Sequence, residues 1–347
     1  MSSNSSPRIA LAMGDPCGVS PELTAGLLAD AEVIGAARLI VIGDRRVLAL
    51  GESHAGVKID LPVVSTEREA LTANGHVFWD LGHLDPADVS LGEISLAGGR
   101  SALANFDKAV ELGNAWHVGA VCFTPFNKAA MRLAHPSYED EIVYMSELLS
   151  FDGKASEFNI LDGLWNARVT SHVPLSEVAS LINQDIILEN IELTHQSLVA
   201  SGVESPRIGV AALNPHAGDN GNFGTEEIDI IGPAVEEGKR RGFGCDGPYP
   251  SDTVFVRARN GQFDAVLTMY HDQGQIAMKL IGFDKGVTLL GGYPFPVCTP
   301  AHGTAYDIAG KGVANLGASR NAVLLGARMA ALAGKNKDAQ AETRMAG

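Results

Sequence analysis

The stretch Phe263–Lys279, FDAVLTMYHDQGQIAMK, joins an apolar run to a polar turn. Residues 263–269 are apolar except for Asp264, which is typical of a buried β-strand. The run ends in Tyr-His-Asp-Gln-Gly, and Lys279, eight residues past His271, is expected on a helix that follows the turn. Because ligands in open α/β sheets bind outside the carboxyl ends of strands, this stretch predicts a strand that delivers polar side chains to a binding site.

Short strand-like runs alternate with helix-like stretches along the chain. The strand-like runs include RIALAMG (8–14), ARLIVIGD (37–44), GAVCFTPF (119–126) and RIGVAALNP (207–215), and long helix-like stretches cover 94–116 and 226–242. Ser20 can cap the first helix, with Pro21 at its first position. This alternation predicts an α/β fold with a largely parallel sheet.

The size and charge of the chain limit its class. Its 347 residues favour two domains or one large α/β unit. A net charge of −15 argues against nucleic acid as a partner, because neutralising phosphates requires clustered Lys and Arg. No apolar run reaches the roughly 18 residues that span a bilayer, and the start, MSSNSSPRIA, lacks the features of a secretory signal. We therefore expect a cytoplasmic protein with neither a nucleic-acid nor a membrane partner.

The cysteines are scattered along the chain without a CxxC pair: Cys17, Cys122, Cys245 and Cys298. This usage is typical of reduced thiols in a cytoplasm. A zinc site built from cysteine is therefore not expected.

Three predicted strand ends carry a histidine: His172, His216 and His271. Imidazole is the commonest metal ligand, and three imidazoles with an open position are typical of a catalytic metal site. No two of them have the i, i+4 spacing of a helical metal motif, so capping or hydrogen-bonded loop histidines remain the alternative. Asp252 and Asp272 could ligate such a metal or orient a ligating imidazole, or could be ordinary turn residues.

Two glycine-rich segments could bind a ligand through backbone amides. GDPCGVSPE (14–22) ends at a helix N-terminus, which is a ready anion site, but it fits neither a GxGxxG fingerprint nor a Walker loop. NPHAGDNGNFG (214–224) could cradle a ligand or be a flexible loop. Lys128 and Lys279 follow strands, and each could contact a ligand or be a solvated surface group.

Seven motifs in series, spread over roughly residues 8–330, resemble the 4-hydroxythreonine-4-phosphate dehydrogenase family of vitamin B6 biosynthesis and its paralogues. They are MGDPCGVSPEL, FTPFNK, TSHVPL, LNPHAGDNGNFGTEE, GPYPSDT, MYHDQGQIAMK and HGTAYDIAGKGVAN. The last is also similar to the nucleotide-binding segment of isocitrate and isopropylmalate dehydrogenases, to which the family is structurally related.

The resemblance implies a two-domain α/β fold like that of isocitrate and isopropylmalate dehydrogenases, with the active-site cleft between the domains, and not a Rossmann fold. It implies a nucleotide-side domain over 8–130 and 280–347, and a second domain over 131–279 that carries metal ligands and dimer contacts. Residues 1–7 are expected to be a disordered tail. The family works as a homodimer with shared active sites, and His271 is expected to reach the partner subunit's site.

The resemblance also assigns residues to roles. The metal ligands are His172, His216 and His271, and the catalytic residues are Lys279, Asp252 and Asp272. Lys279 also contacts the substrate, together with the positions of Glu141, Ile142, Thr288 and Val297. The cofactor, NAD or NADP, is assigned to Gly14, Asp15, His302, Gly303, Thr304 and Asp307.

Four of these substrate positions depart from the family pattern. Glu141 and Ile142 align with a His-Thr pair that binds the substrate, and Thr288 and Val297 align with an asparagine and an arginine. A charge-assisted hydrogen bond to a phosphate contributes roughly 1.5–3 kcal/mol, and valine supplies none of it. A glutamate in place of histidine adds repulsion toward a dianion. We therefore expect a paralogue with an altered phosphate site.

The expected activity is oxidation of the secondary hydroxyl of a small hydroxy acid, with or without decarboxylation. The expected cofactors are a nicotinamide dinucleotide and a divalent metal ion, zinc first, with magnesium, cobalt or manganese as alternatives. Paralogues of the family act on four-carbon phospho-sugar acids or on cis-dihydrodiol dicarboxylates. The alternatives are a genuine 4-hydroxythreonine-4-phosphate dehydrogenase of pyridoxal phosphate biosynthesis, a non-catalytic binding protein on this scaffold, and a metal-dependent hydrolase or lyase without nucleotide.

Overall fold

The computed structural model describes residues 6–346, giving residues 283 and 336–346 by their backbone alone. These residues form two compact units. Unit 1 contains the described residues up to Gly153 and those from Tyr293 onward, whereas unit 2 contains Lys154–Gly292.

The strands, in chain order, are β1 Arg8–Ala12, β2 Arg38–Gly43, β3 Val63–Val64, β4 Val77–Asp80, β5 Ala120–Phe123, β6 Ser156–Leu161, β7 Leu164–Arg168, β8 Ile208–Ala211, β9 Cys245–Tyr249, β10 Ala265–Thr268, β11 Val287–Gly291 and β12 Val297–Pro300. The α-helices are α1 Ser20–Ala29, α2 Ala31–Ala36, α3 Arg45–Ala55, α4 Glu67–Thr72, α5 Leu96–Asn114, α6 Lys128–Ala134, α7 Glu141–Leu149, α8 Val178–Leu181, α9 Gln184–Ala200, α10 Gly232–Arg240, α11 Ser251–Arg259, α12 His271–Gly282 and α13 Gly317–Ala346. Short non-α turns cover Pro86–Asp88, Leu175–Glu177, Pro215–Gly221, Glu227–Ile231, Phe283–Lys285 and Tyr306–Ile308.

In unit 1 the strands lie in the order β3-β4-β2-β1-β5-β12, and every neighbouring pair is parallel. All four residues of β5 are buried, as are all but the first residue of β1. Parallel strands that are covered on both faces need continuous apolar runs, which explains the unbroken runs in the sequence.

In unit 2 the strands lie in the order β11-β6-β7-β10-β8-β9. Here β6 is antiparallel to both of its neighbours, whereas β7, β10, β8 and β9 pair in parallel. The prediction of a largely parallel α/β fold is thus confirmed, with β6 as the antiparallel exception. Because β7 and β10 are parallel neighbours, their carboxyl ends open at the same edge of the sheet.

The helix predicted over 94–116 is observed as α5, which Ser95 caps by accepting a hydrogen bond from the Gly98 N–H. The predicted Ser20 cap is wrong. Helix α1 begins at Ser20 itself, whose hydroxyl donates a 2.7 Å hydrogen bond to the carbonyl oxygen of Pro125. The Ser20 hydroxyl therefore bonds a carbonyl that is distant in sequence, rather than capping the helix as the local sequence predicts.

The chain crosses between the units later than the sequence suggested, after residues 153 and 292 rather than near 130 and 280. Helix α7 stays with unit 1, where Tyr144 donates a 2.7 Å hydrogen bond to Asp107 of α5. Strand β11 stays with unit 2 because it pairs with β6. Of the expected tail 1–7, residues 1–5 lie outside the described residues, and the Pro7 carbonyl accepts a 2.8 Å hydrogen bond from the Arg38 N–H.

The two ends of unit 2 lie side by side. Gly292 has a φ of +99°, and a Cβ built on it would lie 2.1 Å from the carbonyl oxygen of Lys154. Only glycine allows this close approach at a positive φ.

No helix of the described residues is long and apolar enough to cross a lipid bilayer.

Candidate functional site

A pocket of about 430 Å³ opens in unit 2 beyond the carboxyl ends of β7 and β10. The two strands stay paired past their ends, because the Val169 and Thr170 N–H groups donate to the carbonyl oxygens of Thr268 and Met269. The chain segments that leave them therefore start together. The pocket is lined by Thr170, Ser171, His172, Val173, Leu175, Val178, Tyr270, His271 and Asp272.

Two of the three predicted metal ligands meet at this pocket. The ring centroids of His172 and His271 are 5.6 Å apart, at an interplanar angle of 43°. His172 has a φ of +21°, in the left-handed region that non-glycine residues rarely adopt. Strain of this kind clusters at functional sites.

His271 is the first residue of α12, and its Nδ1 lies 2.7 Å from Oδ1 of Asp272. A carboxylate at this distance favours the tautomer with the proton on Nδ1, which leaves the Nε2 lone pair available to a ligand. Gln273 fixes the start of the same helix. Its Oε1 accepts from the Met269 N–H and its Nε2 donates to the carbonyl oxygen of Ala212, both at 2.7 Å.

The third predicted ligand, His216, is not among the residues that line this pocket. It begins six successive residues with positive φ, from His216 to Gly221, and its ring is 6.2 Å from the ring of Phe223. Among the residues that the structure describes, no group of three or more His, Cys, Asp or Glu side chains is arranged to hold a metal ion. One chain thus brings two of the three histidines together.

Glu227 holds the segment that precedes His216, and the sequence analysis missed it. Its carboxylate, only 4% exposed, accepts hydrogen bonds from the N–H groups of Leu213 and Asn214 and from the Asn214 side chain. The second glutamate of the motif LNPHAGDNGNFGTEE was the available signal, since a buried carboxylate requires partners.

Lys279 and Asp252 are exposed in different helices of unit 2. Lys279 lies on α12, as predicted, and its spacing of eight residues from His271 places both on one helix face. Asp252 lies in the first turn of α11.

The predicted substrate positions have contrasting surroundings. Glu141 begins α7, and its carboxylate lies 3.8 Å from the ammonium of Lys128, the first residue of α6. The Ile142 carbonyl accepts a 2.7 Å hydrogen bond from the Tyr293 hydroxyl. Val297, in β12, is fully buried and supplies no polar contact.

The last substrate position, Thr288 of β11, is 9% exposed, and its Oγ1 accepts a 3.3 Å hydrogen bond from Asn159. Asn159 in turn belongs to a buried polar network around Arg168. Neither residue was singled out from the sequence; Asn159 bonds residues as distant as Thr288.

The two segments assigned to the cofactor meet in unit 1. The Val19 N–H donates a 3.0 Å hydrogen bond to the Thr304 carbonyl, and a Cβ on Gly18 would lie 2.6 Å from the same oxygen. Asp15, 1% exposed, accepts from the Cys17 N–H and from the Tyr306 hydroxyl. Burial raises the pKa of the Asp15 carboxyl.

Within these segments, the Gly14 N–H donates to Thr124 Oγ1 at 2.8 Å, so this glycine is tied to the end of β5. His302 has its Nδ1 2.9 Å from the Gly303 carbonyl, while its buried Nε2 has no hydrogen-bond partner in the protein. Gly303 has open space where a Cβ would lie, and Asp307 is exposed. An orphaned imidazole nitrogen beside an open glycine suits a polar ligand.

Comparison with known proteins identifies one family along nearly the whole chain. Residues 35–326 match the family described as "Pyridoxal phosphate biosynthetic protein PdxA". A "Putative 4-hydroxythreonine-4-phosphate dehydrogenase 2" of Rhizobium meliloti is 61% identical over 326 residues, which is 93% of each chain. A "Putative D-threonate 4-phosphate dehydrogenase" of Symbiobacterium thermophilum is 37% identical, covering 94% of this chain and 97% of that one.

Among solved structures, the 4-hydroxythreonine-4-phosphate dehydrogenase of Klebsiella pneumoniae aligns with a TM-score of 0.82 at 32% identity, over 94% of this chain and 99% of that one. The α/β fold and these relatives define a dehydrogenase, an oxidoreductase that acts on CH–OH groups. The chain belongs to the PdxA family. The resemblance drawn from the seven sequence motifs is thereby confirmed.

Proposed function

We propose that the protein is a divalent-metal- and NAD(P)-dependent dehydrogenase of a phosphorylated four-carbon hydroxy acid, with 4-hydroxythreonine 4-phosphate as the first candidate. The observation that carries the proposal is the meeting of His172 and His271 at one pocket, in a chain 61% identical to a relative of that name. The names of the relatives favour a phosphorylated substrate, although the four altered positions predicted a paralogue with an altered phosphate site.

The donor set fits a divalent metal ion. Two imidazoles lie with their centroids 5.6 Å apart, and the contact of Asp272 with Nδ1 leaves Nε2 of His271 available. Imidazole suits zinc, and cobalt or manganese are alternatives, while magnesium prefers oxygen ligands. When bound, such an ion polarises the hydroxyl that is oxidised and lowers its pKa.

A homodimer would complete the site. We propose that a second copy of the chain completes the ligand set. The resemblance implied that His271 reaches the partner subunit's site, whereas the pairing of His271 with His172 leaves His216 as the ligand to be supplied by the second copy. On α12, close to His271, the apolar side chains of Ile276 and Leu280 are 61% and 83% exposed. Apolar side chains that protrude together in this way are typical of protein interfaces.

The residues of the chain have distinct tasks in this proposal. Asp272 orients His271, and Lys279, on the same helix face, binds an anionic group of the substrate. Asp252 is the further carboxylate proposed near the reacting hydroxyl. In unit 1, Lys128 offsets the charge of Glu141, so that a dianionic substrate meets no uncompensated carboxylate there.

The nucleotide is proposed to bind in unit 1 at Gly14, Asp15, His302, Gly303, Thr304 and Asp307. The orphaned Nε2 of His302 would gain a hydrogen bond, and the open space at Gly303 would admit the ligand close to the backbone. Asp15 would act through its hydrogen bonds, because they join the loop after β1 to Tyr306.

A phosphate-free hydroxy acid is the second candidate. It is favoured by the fully buried Val297 and by Ile142, neither of which can donate a side-chain hydrogen bond to a phosphate. A cytoplasmic location is also proposed, because the four cysteines are free and buried, which is typical of a reducing compartment.

A substrate panel tests the proposal. The zinc-loaded protein is mixed with NAD or NADP and with 4-hydroxythreonine 4-phosphate, D-threonate 4-phosphate or a cis-dihydrodiol carboxylate, and nicotinamide reduction is recorded. Turnover of a phosphorylated acid, lost in His271→Ala and retained in the exposed control His117→Ala, is the expected result. Turnover of the dihydrodiol alone would refute the phosphorylated substrate and support the phosphate-free one. No turnover, with no shift of the thermal midpoint by NAD, would refute an enzyme and favour the binding protein.

A further inference from the structure

The side chain of Arg168, at the end of β7, is buried with a relative exposure of 1%. Its Nη2 lies 2.9 Å from Glu157, its Nη1 donates to Asn159 Oδ1 at 2.8 Å, and its Nε donates to Ser171 Oγ at 2.7 Å. A buried guanidinium is stable only when its donors are satisfied in fixed directions. The group therefore ties β6 to the residue that immediately precedes His172.

The same Asn159 oxygen reaches α12. Gln275 Nε2 donates to it at 2.5 Å. Gln275 lies four residues after His271 and four before Lys279, so the three side chains share one face of the helix. The polar network thus touches both histidine-bearing segments of the pocket, one through Ser171 and the other through Gln275.

Helix α12 has few other anchors in unit 2. Of its residues, only Gly274 and Met278 are buried, whereas Ile276 and Leu280 protrude. Gln273 fixes where the helix starts, and Gly274 and Met278 pack against the rest of unit 2. Gln275, one turn after His271, adds a polar anchor that further constrains the rotation of the helix about its axis.

We infer that Gln275 is a positioning residue: its bond to the Arg168–Asn159 pair sets the rotation of α12 and so the placement of His271 and Lys279 relative to His172. The inference rests on the proposed function for the roles of His271 and Lys279. Gln275 itself is not among the residues that line the pocket. It acts through the helix, like residues that orient a metal ligand without binding the metal themselves.

Gln275→Met tests the inference, because methionine keeps the length and helix preference of glutamine but cannot donate the hydrogen bond. Gln196→Met, the same change on α9, is the matched control, since Gln196 is exposed and its amide donates to Glu192 of the same helix. Gln275→Ala is a second variant that also lacks the amide. Cobalt(II) binding is followed by its visible spectrum, and kcat and both KM values are measured in the same preparations.

We expect Gln275→Met and Gln275→Ala to weaken cobalt binding by about 10–100-fold and to lower kcat, with the KM for the nucleotide unchanged. Gln196→Met should match the wild type. Wild-type cobalt affinity and kcat in both Gln275 variants would overturn the inference while leaving the proposed function in place. A wild type that neither binds cobalt nor oxidises any acid of the panel would overturn both.

Discussion

Gly274→Ala should misplace α12 and reveal how closely this helix must approach β7. A Cβ at residue 274 would lie 2.1 Å from Oδ1 of Asn166, where ordinary van der Waals contact begins at 3.4 Å. Asn166 is fully buried, and its Nδ2 donates to two carbonyl oxygens and to Thr268 Oγ1. The side chain cannot swing away without losing these bonds, so the helix has to move by roughly 1 Å.

The magnitude follows from two opposing effects. Alanine in place of glycine favours a helix by about 1 kcal/mol, whereas overpacking a core costs about 1–3 kcal/mol. Gly35→Ala in α2 isolates the first effect, because no atom lies within 4 Å of its Cβ position. Gly35→Ala should therefore raise the free energy of unfolding. The free energy of unfolding of Gly274→Ala should be about 1–3 kcal/mol lower than that of Gly35→Ala.

The catalytic effect should exceed the loss of stability. A misplacement of about 1 Å can lower the rate about 100-fold, and both His271 and Lys279 move with α12. Urea unfolding and kcat/KM for the best acid of the panel are the assays. If Gly274→Ala matched Gly35→Ala in stability and the wild type in kcat/KM, the close approach of α12 to β7 would be refuted as a requirement of the site.

Three further predictions concern buried titratable groups. Glu227→Gln should lower the free energy of unfolding by about 1–3 kcal/mol, because an amide NH2 replaces an oxygen that accepts a hydrogen bond from Asn214. Urea unfolding measures this loss, and coincident curves for the variant and the wild type would contradict it. Burial raises the pKa of the Asp15 carboxyl above 3.8, so stability falls as pH rises from 3.8 through the raised value, and Asp15→Asn should flatten that slope in thermal melts. Burial lowers the pKa of His76 below 6.5, so stability is lost as pH falls from 6.5 to the lowered value. His76→Asn keeps an acceptor for the Leu39 N–H and should remove this loss, whereas an unchanged pH profile would contradict the assignment.

The elements that the sequence predicts well are those whose cause is local. The apolar run before His271 becomes β10, and the periodic stretch 94–116 becomes α5 within two residues at each end. Lys279 lies on the helix that the polar turn predicts. In each case hydrophobic periodicity within one segment determines the element.

The features that escaped prediction depend on partners distant in sequence. Gln275 and Asn159 are separated by 116 positions, and the hydroxyl of Ser20 bonds a carbonyl 105 positions away. No pattern of neighbouring residues predicts such pairs. The left-handed turn that begins at His216 follows a segment held by Glu227 of the same motif, but nothing in that motif indicates that His216 does not line the pocket of His172 and His271.

The chain enters and leaves unit 2 at neighbouring points, so unit 2 behaves as an insertion although it lies in the middle of the sequence. Since Lys154 and Gly292 lie side by side, a loop of a few residues could join them and close 154–292 into a ring. Such a segment can be excised, permuted or exchanged for a homologous one without rerouting the strands of unit 1. Evolution could in this way replace the paired histidines and their supporting network as one cassette, while the loops assigned to the nucleotide remained unchanged.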